Sequence, residues 1–205
     1  MEIRELTMDE IAQIYEAEMR YDFPESELKP LSAIRAMYEK GVYLGLGCWE
    51  NGRLLAYAMY VTKKERKRLL LDYYAVVRTM RERGIGSRFL QGMFEWLKDA
   101  EMILGEVENP EFARTLQERE TQVRRIGFYE RNGFVVAGPE CTCRLFGVEY
   151  RLIAKGLGVS SEEAAKGAAR WIEEIYRVMF PGELFGRQVI VRGGEPDQKS
   201  DDSPS

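Results

Sequence analysis

Histidine is missing from all 205 positions of this chain. That absence removes Ser-His-Asp and Cys-His nucleophilic catalysis, zinc sites that use imidazole, and the commonest general base near neutral pH. Cysteine is scarce as well: Cys48, Cys141 and Cys143 are too few, and odd in number, for a disulfide framework. Cys141-Thr142-Cys143 offers two thiolates, but nothing near it completes a four-ligand set. No metal is therefore expected, and the pair reads as half-buried strand residues. No apolar run approaches the ~20 residues that span a bilayer, and no apolar secretory segment opens the sequence. A reducing cytoplasm is the expected location, with no membrane partner. Positive charge is also in short supply. The formal net charge is -4, and the stretch 193–205 holds four acids against one lysine, leaving the rest of the chain close to neutral. Nucleic-acid binding rests on Lys and Arg neutralising phosphates, so no nucleic-acid partner is expected.

What is present is the mix of a globular domain, 45% hydrophobic and 31% charged, in a length that fits one domain with an appended element. Residues 1–6 read as a first strand. Thr7-Met-Asp-Glu10 is a capping box opening a helix with Ile11, Ile14, Tyr15 and Met19 at helical spacing. Pro30 starts a second helix over 31–40. Two strands, 42–50 and 53–62, flank Asn51-Gly52, a strong hairpin signal. A largely apolar central strand over 69–76 follows, then an amphipathic helix over 86–98, a strand over 102–107, a polar insertion over 109–120, a helix over 121–132, and strands starting at 134 and 148. Ser160-Ser-Glu-Glu163 is a second capping box; its helix carries Ala164, Ala168, Trp171, Ile172, Ile175 and Met179 on one face. That helix is expected to pack over the sheet or across a dimer, and a homodimer is accordingly one expected assembly. A short strand at 189–191 and a disordered tail over 193–205 close the reading. Strands alternating with helices imply a mixed α/β sheet, with a domain over 1–154 and a helical extension over 155–192.

The informative segment is Val76-Val77-Arg78-Thr79-Met80-Arg81-Glu82-Arg83-Gly84-Ile85-Gly86-Ser87-Arg88. It joins a buried strand to an amphipathic helix through a basic loop with two glycines. Main-chain N–H groups from Arg81 through Ser87, Ile85 included, would converge with the helix dipole behind them into an anion cradle. Glycine at 84 and 86 admits an anion close to the main chain, and the arginines add charge. The expected guest is a phosphate or pyrophosphate. No lysine follows Gly86, so it is not a P-loop, and Phe89 stands where a dinucleotide fingerprint needs its third glycine.

Arg81-Glu-Arg-Gly84-Ile-Gly86 resembles the Arg/Gln-x-x-Gly-x-Gly/Ala signature of the GNAT N-acetyltransferase superfamily. A second element, Ile126-Gly-Phe128-Tyr129-Glu-Arg-Asn-Gly133-Phe134, stands downstream as that family has it. The resemblance covers about residues 1–154. It implies a mostly antiparallel central sheet, splayed where acyl-CoA binds, flanked by helices and followed by a C-terminal helix. It also implies an N-acetyltransferase with acetyl-CoA as co-substrate. The main chain of Tyr74 and Val76 would pair with the pantetheine arm. The N–H groups of Arg81, Arg83, Gly84, Ile85 and Gly86, with Ser87, would hold the pyrophosphate. Phe128, Gln122 and Arg125 would lie on the cofactor side, and Tyr129 would sit beside the thioester sulfur. Many members carry Asn and Ala where this chain has Gln122 and Arg125.

The implied chemistry is direct attack by an amine, small-molecule or peptide, whose identity the residues leave open. Keeping an alkyl ammonium of pKa about 10.4 neutral near pH 7 costs roughly 4–5 kcal/mol, which a base would share. Without histidine the candidates are carboxylates: Asp72 in the central strand, and Glu106 and then Glu108 on the next. An acid amid Leu-Leu-Leu-Asp72-Tyr-Tyr is costly to bury unpaired, so it faces the cleft or meets an arginine. Tyr129 would donate to the departing thiolate. Tyr43, Tyr57, Tyr73 and Trp49 line an acceptor pocket or fill the core. A non-catalytic acyl-CoA-binding sensor or scaffold stands as the second reading.

Overall fold

A computed structural model of the chain describes residues 1–180 and 182–193. The expected disordered tail lies, from 194 on, outside the described residues. The strands are β1 (Glu2–Glu5), β2 (Tyr43–Glu50), β3 (Arg53–Thr62), β4 (Arg68–Val76), β5 (Met102–Glu108), β6 (Val135–Val136), β7 (Thr142–Leu145), β8 (Val148–Gly156) and β9 (Val189–Arg192). They form one sheet ordered β1-β2-β3-β4-β5-β8-β7-β9, with β6 also on β8. All pairings are antiparallel except β4 with β5. The helices are α1 (Met8–Ile14), α2 (Arg20–Asp22), α3 (Leu31–Glu39), α4 (Ile85–Trp96), α5 (Leu116–Arg131), α6 (Ser161–Lys166), α7 (Ala168–Met179) and α8 (Gly182–Gln188). A π-helical turn, Tyr15–Met19, joins α1 to α2.

The local chemistry explains most of these boundaries. Thr7 and Glu10 cap α1 reciprocally. Asn51 and Gly52 both take positive φ, as a tight hairpin turn demands. Helix α5 begins five residues before the sequence-based start, because Thr115 caps it by accepting the Glu118 N–H at 3.1 Å. The insertion is thus one 3-10 turn, Pro110–Phe112, followed by the first turn of α5. Strand β7 is too short for a period-2 pattern to reveal. Ser160 caps only α6, accepting the Glu163 N–H at 3.1 Å, and Gly167 separates it from α7.

The sheet buries a core on each face. One holds Ile11, Ile14, Ile34, Ile172 and Tyr176 of α1, α3 and α7 against Met59, Leu70 and Leu152 of the sheet. The other holds Leu46, Leu69, Ile103, Phe89 and Met93 beneath α4, with Phe128 and Tyr129 of α5 against it. Helix α7 is therefore a packing element on the sheet, fixed also by Arg68 stacked on Trp171 at 3.6 Å. Among the described residues no helix is long and apolar enough to cross a membrane. Ile172 is fully enclosed in the first core, so Ile172→Ala is expected to lower unfolding stability by about 2–4 kcal/mol. Urea denaturation checks this; a loss below ~1 kcal/mol would show that α7 lies outside the cooperative core.

Candidate active site

The site originates in how β4 and β5 meet. Their parallel ladder runs only through Arg68↔Met102, Leu69↔Ile103 and Leu70↔Leu104, after which the strands part. On its other side β4 stays paired with β3 out to Val76, but the register slips between Met59↔Tyr73 and Tyr60↔Leu71. Asp72 is the extra residue of that β-bulge, two positions past the last β5 pair. Where β4 continues alone, its main chain faces the gap. The Val77 N–H reaches back to Leu55 O at 2.9 Å. In a trans peptide the carbonyl points opposite the N–H, so Val76 C=O faces the side β5 has left.

The chain then enters the basic loop. Gly84 adopts φ +68° and caps α4 with no side-chain acceptor, which leaves the N–H groups of the first turn, Ile85, Gly86 and Ser87, without intrahelical partners. A Cβ on Gly86 would meet the Phe128 ring and the Tyr74 hydroxyl at 3.4 Å, and that hydroxyl donates to Gly86 C=O at 2.6 Å. Ser87 Oγ accepts from Asn132 Nδ2 at 3.1 Å, and the same amide donates to Phe128 C=O at 2.8 Å. Asn132, which sequence reasoning passed over, thus ties the end of α5 to the cradle. The half-exposed Arg81 side chain folds back over the loop, with Nε on Val76 C=O at 3.1 Å and Nη2 on Asp22 at 2.6 Å. Arg83 is exposed. Tyr129 packs among Tyr74, Phe128 and Phe134 with ring centroids 5.2 to 6.4 Å apart. Burial pushes its hydroxyl up to about 12, so it is a donor at any physiological pH. Gln122 is buried with Oε1 lacking a protein partner, and Arg125 is taken by an ion pair with Glu108.

On the opposite face, Asp72 is nearly enclosed and pairs with Lys29 Nζ at 2.6 Å, accepting also from the Tyr43 hydroxyl at 3.3 Å. Its partner is this lysine from the segment before α3, where the sequence suggested an arginine. Tyr73 fastens the same segment: its hydroxyl donates to Glu27 C=O and accepts the Lys29 N–H, both at 2.8 Å. Glu106 keeps some exposure as a residue, while its Oε1 is enclosed without a hydrogen-bond partner. Burial raises its carboxyl to about 8; the Lys29 cation pulls the other way and the Asp72 charge reinforces the rise. Glu27 is raised too, by burial and then by Glu108. Tyr57 reaches Asp22, whereas Trp49 lies under Arg4, away from these acids. Among the described residues no group of three or more Cys, Asp or Glu is placed to hold a metal ion.

A sheet split beside the head of a glycine-led helix is the arrangement that the sequence resemblance anticipates for an acyltransferase. The comparisons with known proteins agree. A profile for the acetyltransferase (GNAT) family matches residues 8–134. No curated protein matches. A Bacteroides thetaiotaomicron protein described as a GNAT-family acetyltransferase superposes with a TM-score of 0.65 at 20% identity, over 82% of this chain and 93% of its own. The Escherichia coli ribosomal-protein-S18-alanine N-acetyltransferase gives 0.56 at 19% identity, over 78% and 96%. YncA of Salmonella typhimurium, solved with its cofactor acetyl-CoA, gives 0.52 at 17% identity, over 77% and 94%. At these identities the likeness shows a shared fold. The chain belongs to the acetyltransferase (GNAT) family and is a transferase.

Glu106 makes a stability prediction whose sign follows from its shift. The unfolded carboxyl ionises near 4.5 and the folded one near 8. Its contribution to folding is therefore full below pH 4.5 and lost as pH rises to 8. Glu106→Gln cannot ionise, so it is expected to stabilise the protein at pH 8 relative to pH 4 by on the order of 1–3 kcal/mol against wild type. Parallel thermal melts at the two pH values read this; equal differences would place Glu106 in water.

Proposed function

We propose that the chain transfers an acetyl or similar acyl group from acyl-CoA to a primary amine by direct attack, with Glu106 as base and Tyr129 as hydrogen-bond donor to the sulfur. The observation that carries the reading is Glu106 Oε1, enclosed without a partner beside the parted strands. Acyl-CoA supplies an activated thioester when bound. The residues fit it: free N–H groups at the head of α4 suit a pyrophosphate, and the outward Val76 carbonyl, which already accepts Arg81 Nε, has a second lone pair for an amide-bearing arm. The glycine at 86 leaves no side chain between the main chain and the aromatic wall of α5.

The pKa values decide the proton steps. Moving a proton from an alkyl ammonium to an ordinary carboxylate is uphill by roughly 8 kcal/mol, but only by about 3 kcal/mol to one raised as Glu106 is. Desolvation therefore makes this acid a usable base where no histidine exists. Asp72 plays a different part: its bond to Lys29 fixes both groups near Glu106. Full proton transfer from Tyr129 to a thiolate of pKa about 8.5 is uphill by ~5 kcal/mol. Tyr129 therefore stabilises the developing charge on sulfur by a hydrogen bond and keeps its proton.

Three measurements test this. Gly86→Val should abolish acetyl-CoA binding in calorimetric titration without unfolding the protein; wild-type affinity in the folded variant would remove the cradle. Tyr129→Phe should lower turnover by about 10²-fold with binding nearly intact, and unchanged turnover would return Tyr129 to the core. With free thiol release as the assay, kcat/KM should rise with pH to a limb near 8 set by the enzyme. Glu106→Gln should flatten that limb for acceptors of different pKa. A limb that tracks the acceptor in both proteins would mean that Glu106 is no base.

A further inference from the structure

Asp22 ends α2, and its side chain is only 2% exposed. This is a poor place for a carboxylate twice over. Burial strips its water, and a helix C-terminus presents carbonyl dipoles that repel an anion. Helix α2 gains nothing from it. The carboxylate is held instead from outside the helix: Tyr57 donates its hydroxyl to Oδ2 at 2.8 Å, and Arg81 Nη2 meets Oδ1 at 2.6 Å. Burial, and next the bond to Asp22, raise the Tyr57 hydroxyl well above its ordinary range, so it stays a donor.

The loop that Arg81 belongs to has little to hold it by itself. Its main chain closes one short bond, Met80 N–H to Val77 C=O at 2.8 Å, and one long contact, Arg81 N–H to Arg78 C=O at 3.5 Å. Glu82 sits at φ +64°, a conformation that costs a non-glycine residue about 1 kcal/mol and needs outside support. Beside a long contact from Arg88 Nη2 to Arg83 C=O at 3.4 Å, the closer tie is the Arg81 guanidinium, which bridges Val76 C=O and Asp22 across one rigid fork. Two residues further on stands Gly84, where the free N–H groups begin.

We infer that Asp22, backed by Tyr57, is a positioning residue for acyl-CoA: it fixes the Arg81 guanidinium and through it the loop that aims the head of α4. The inference rests on the acyl-CoA reading above. Asp22 touches no reacting atom. It acts through Arg81 alone, and its loss shows in cofactor affinity and KM, with kcat at saturating acyl-CoA preserved.

The test is calorimetric titration of acetyl-CoA into wild type, Asp22→Asn, Arg81→Met, the double variant, and Tyr57→Phe, each checked for folding by circular dichroism. Asp22→Asn is expected to weaken binding about tenfold, the order expected on losing a charge-assisted bond. In the Arg81→Met background it should change affinity by no more than about twofold, because the arm it acts through is gone. A merely structural Asp22 would impose its full loss in both backgrounds. Additive losses, or wild-type affinity in folded Asp22→Asn, overturn the inference. If Asp22→Asn does not fold, Tyr57→Phe with Arg81→Met decides by the same criterion, at an expected ~3-fold loss. Wild type failing to bind acetyl-CoA would remove the acyl-CoA reading itself, a result separate from an unchanged variant.

Discussion

The parting of β4 from β5 after Leu70↔Leu104 is the constraint on which the rest of the molecule depends. A parallel ladder that stops in mid-sheet leaves main-chain groups unpaired in the interior, which a protein tolerates only where a ligand, a side chain or water answers them. Here Arg81 Nε answers Val76 C=O. Everything around the gap holds it in shape. Helices α4 and α5 wall one face, where Phe89, Phe128 and Tyr129 pack around Tyr74 of β4. The segment from Asp22 to Pro30 closes the other, fastened to β3 and β4 through Tyr57, Tyr73 and Asp72.

The electrostatics of the gap follow from that geometry. Asp72 and Glu106 stand at equivalent heights past the split, the first on a bulge and the second on β5. Burial raises the Glu106 carboxyl; the Lys29 cation opposes that rise and the Asp72 charge adds to it. Lys29 bonds Asp72, and Glu106 is left as the carboxyl whose proton is hard to remove. Glu108 takes the opposite course by pairing with Arg125. The carboxyls of this sheet thus differ in what each side chain reaches. The same logic puts Asp22, though buried, to use in fixing Arg81.

What the sequence disclosed was local. The capping boxes at Thr7 and Ser160, the Asn51-Gly52 turn, the amphipathic period of α4 and the glycines at 84 and 86 are each complete within a few neighbouring residues. The mixed sheet followed from their order. The early start of α5 was also written locally, in Thr115-Leu-Gln-Glu118, but the polar residues around it masked the signal. The long-range pairs were invisible: Lys29 with Asp72, Asp22 with Arg81, and Asn132 with Ser87 lie 43, 59 and 45 positions apart. No period or motif announces such partners. They exist only because the fold brings the segment after α2, the bulge and the end of α5 to one place. Asp72 and Glu106 could be named as candidates from their strands, yet which of them stays unpaired depends on a lysine that no local signal singles out.

The split sheet withholds water from one Glu106 oxygen and raises its carboxyl toward neutrality. Carbon-13 NMR of the side-chain carboxyls, with Glu106 assigned through Glu106→Gln, measures that directly as a titration curve. The expected midpoint is near 8, far from the 4.5 of a solvated glutamate. A midpoint near 4.5 would contradict it, because the gap would then be wet and Glu106 an ordinary surface acid.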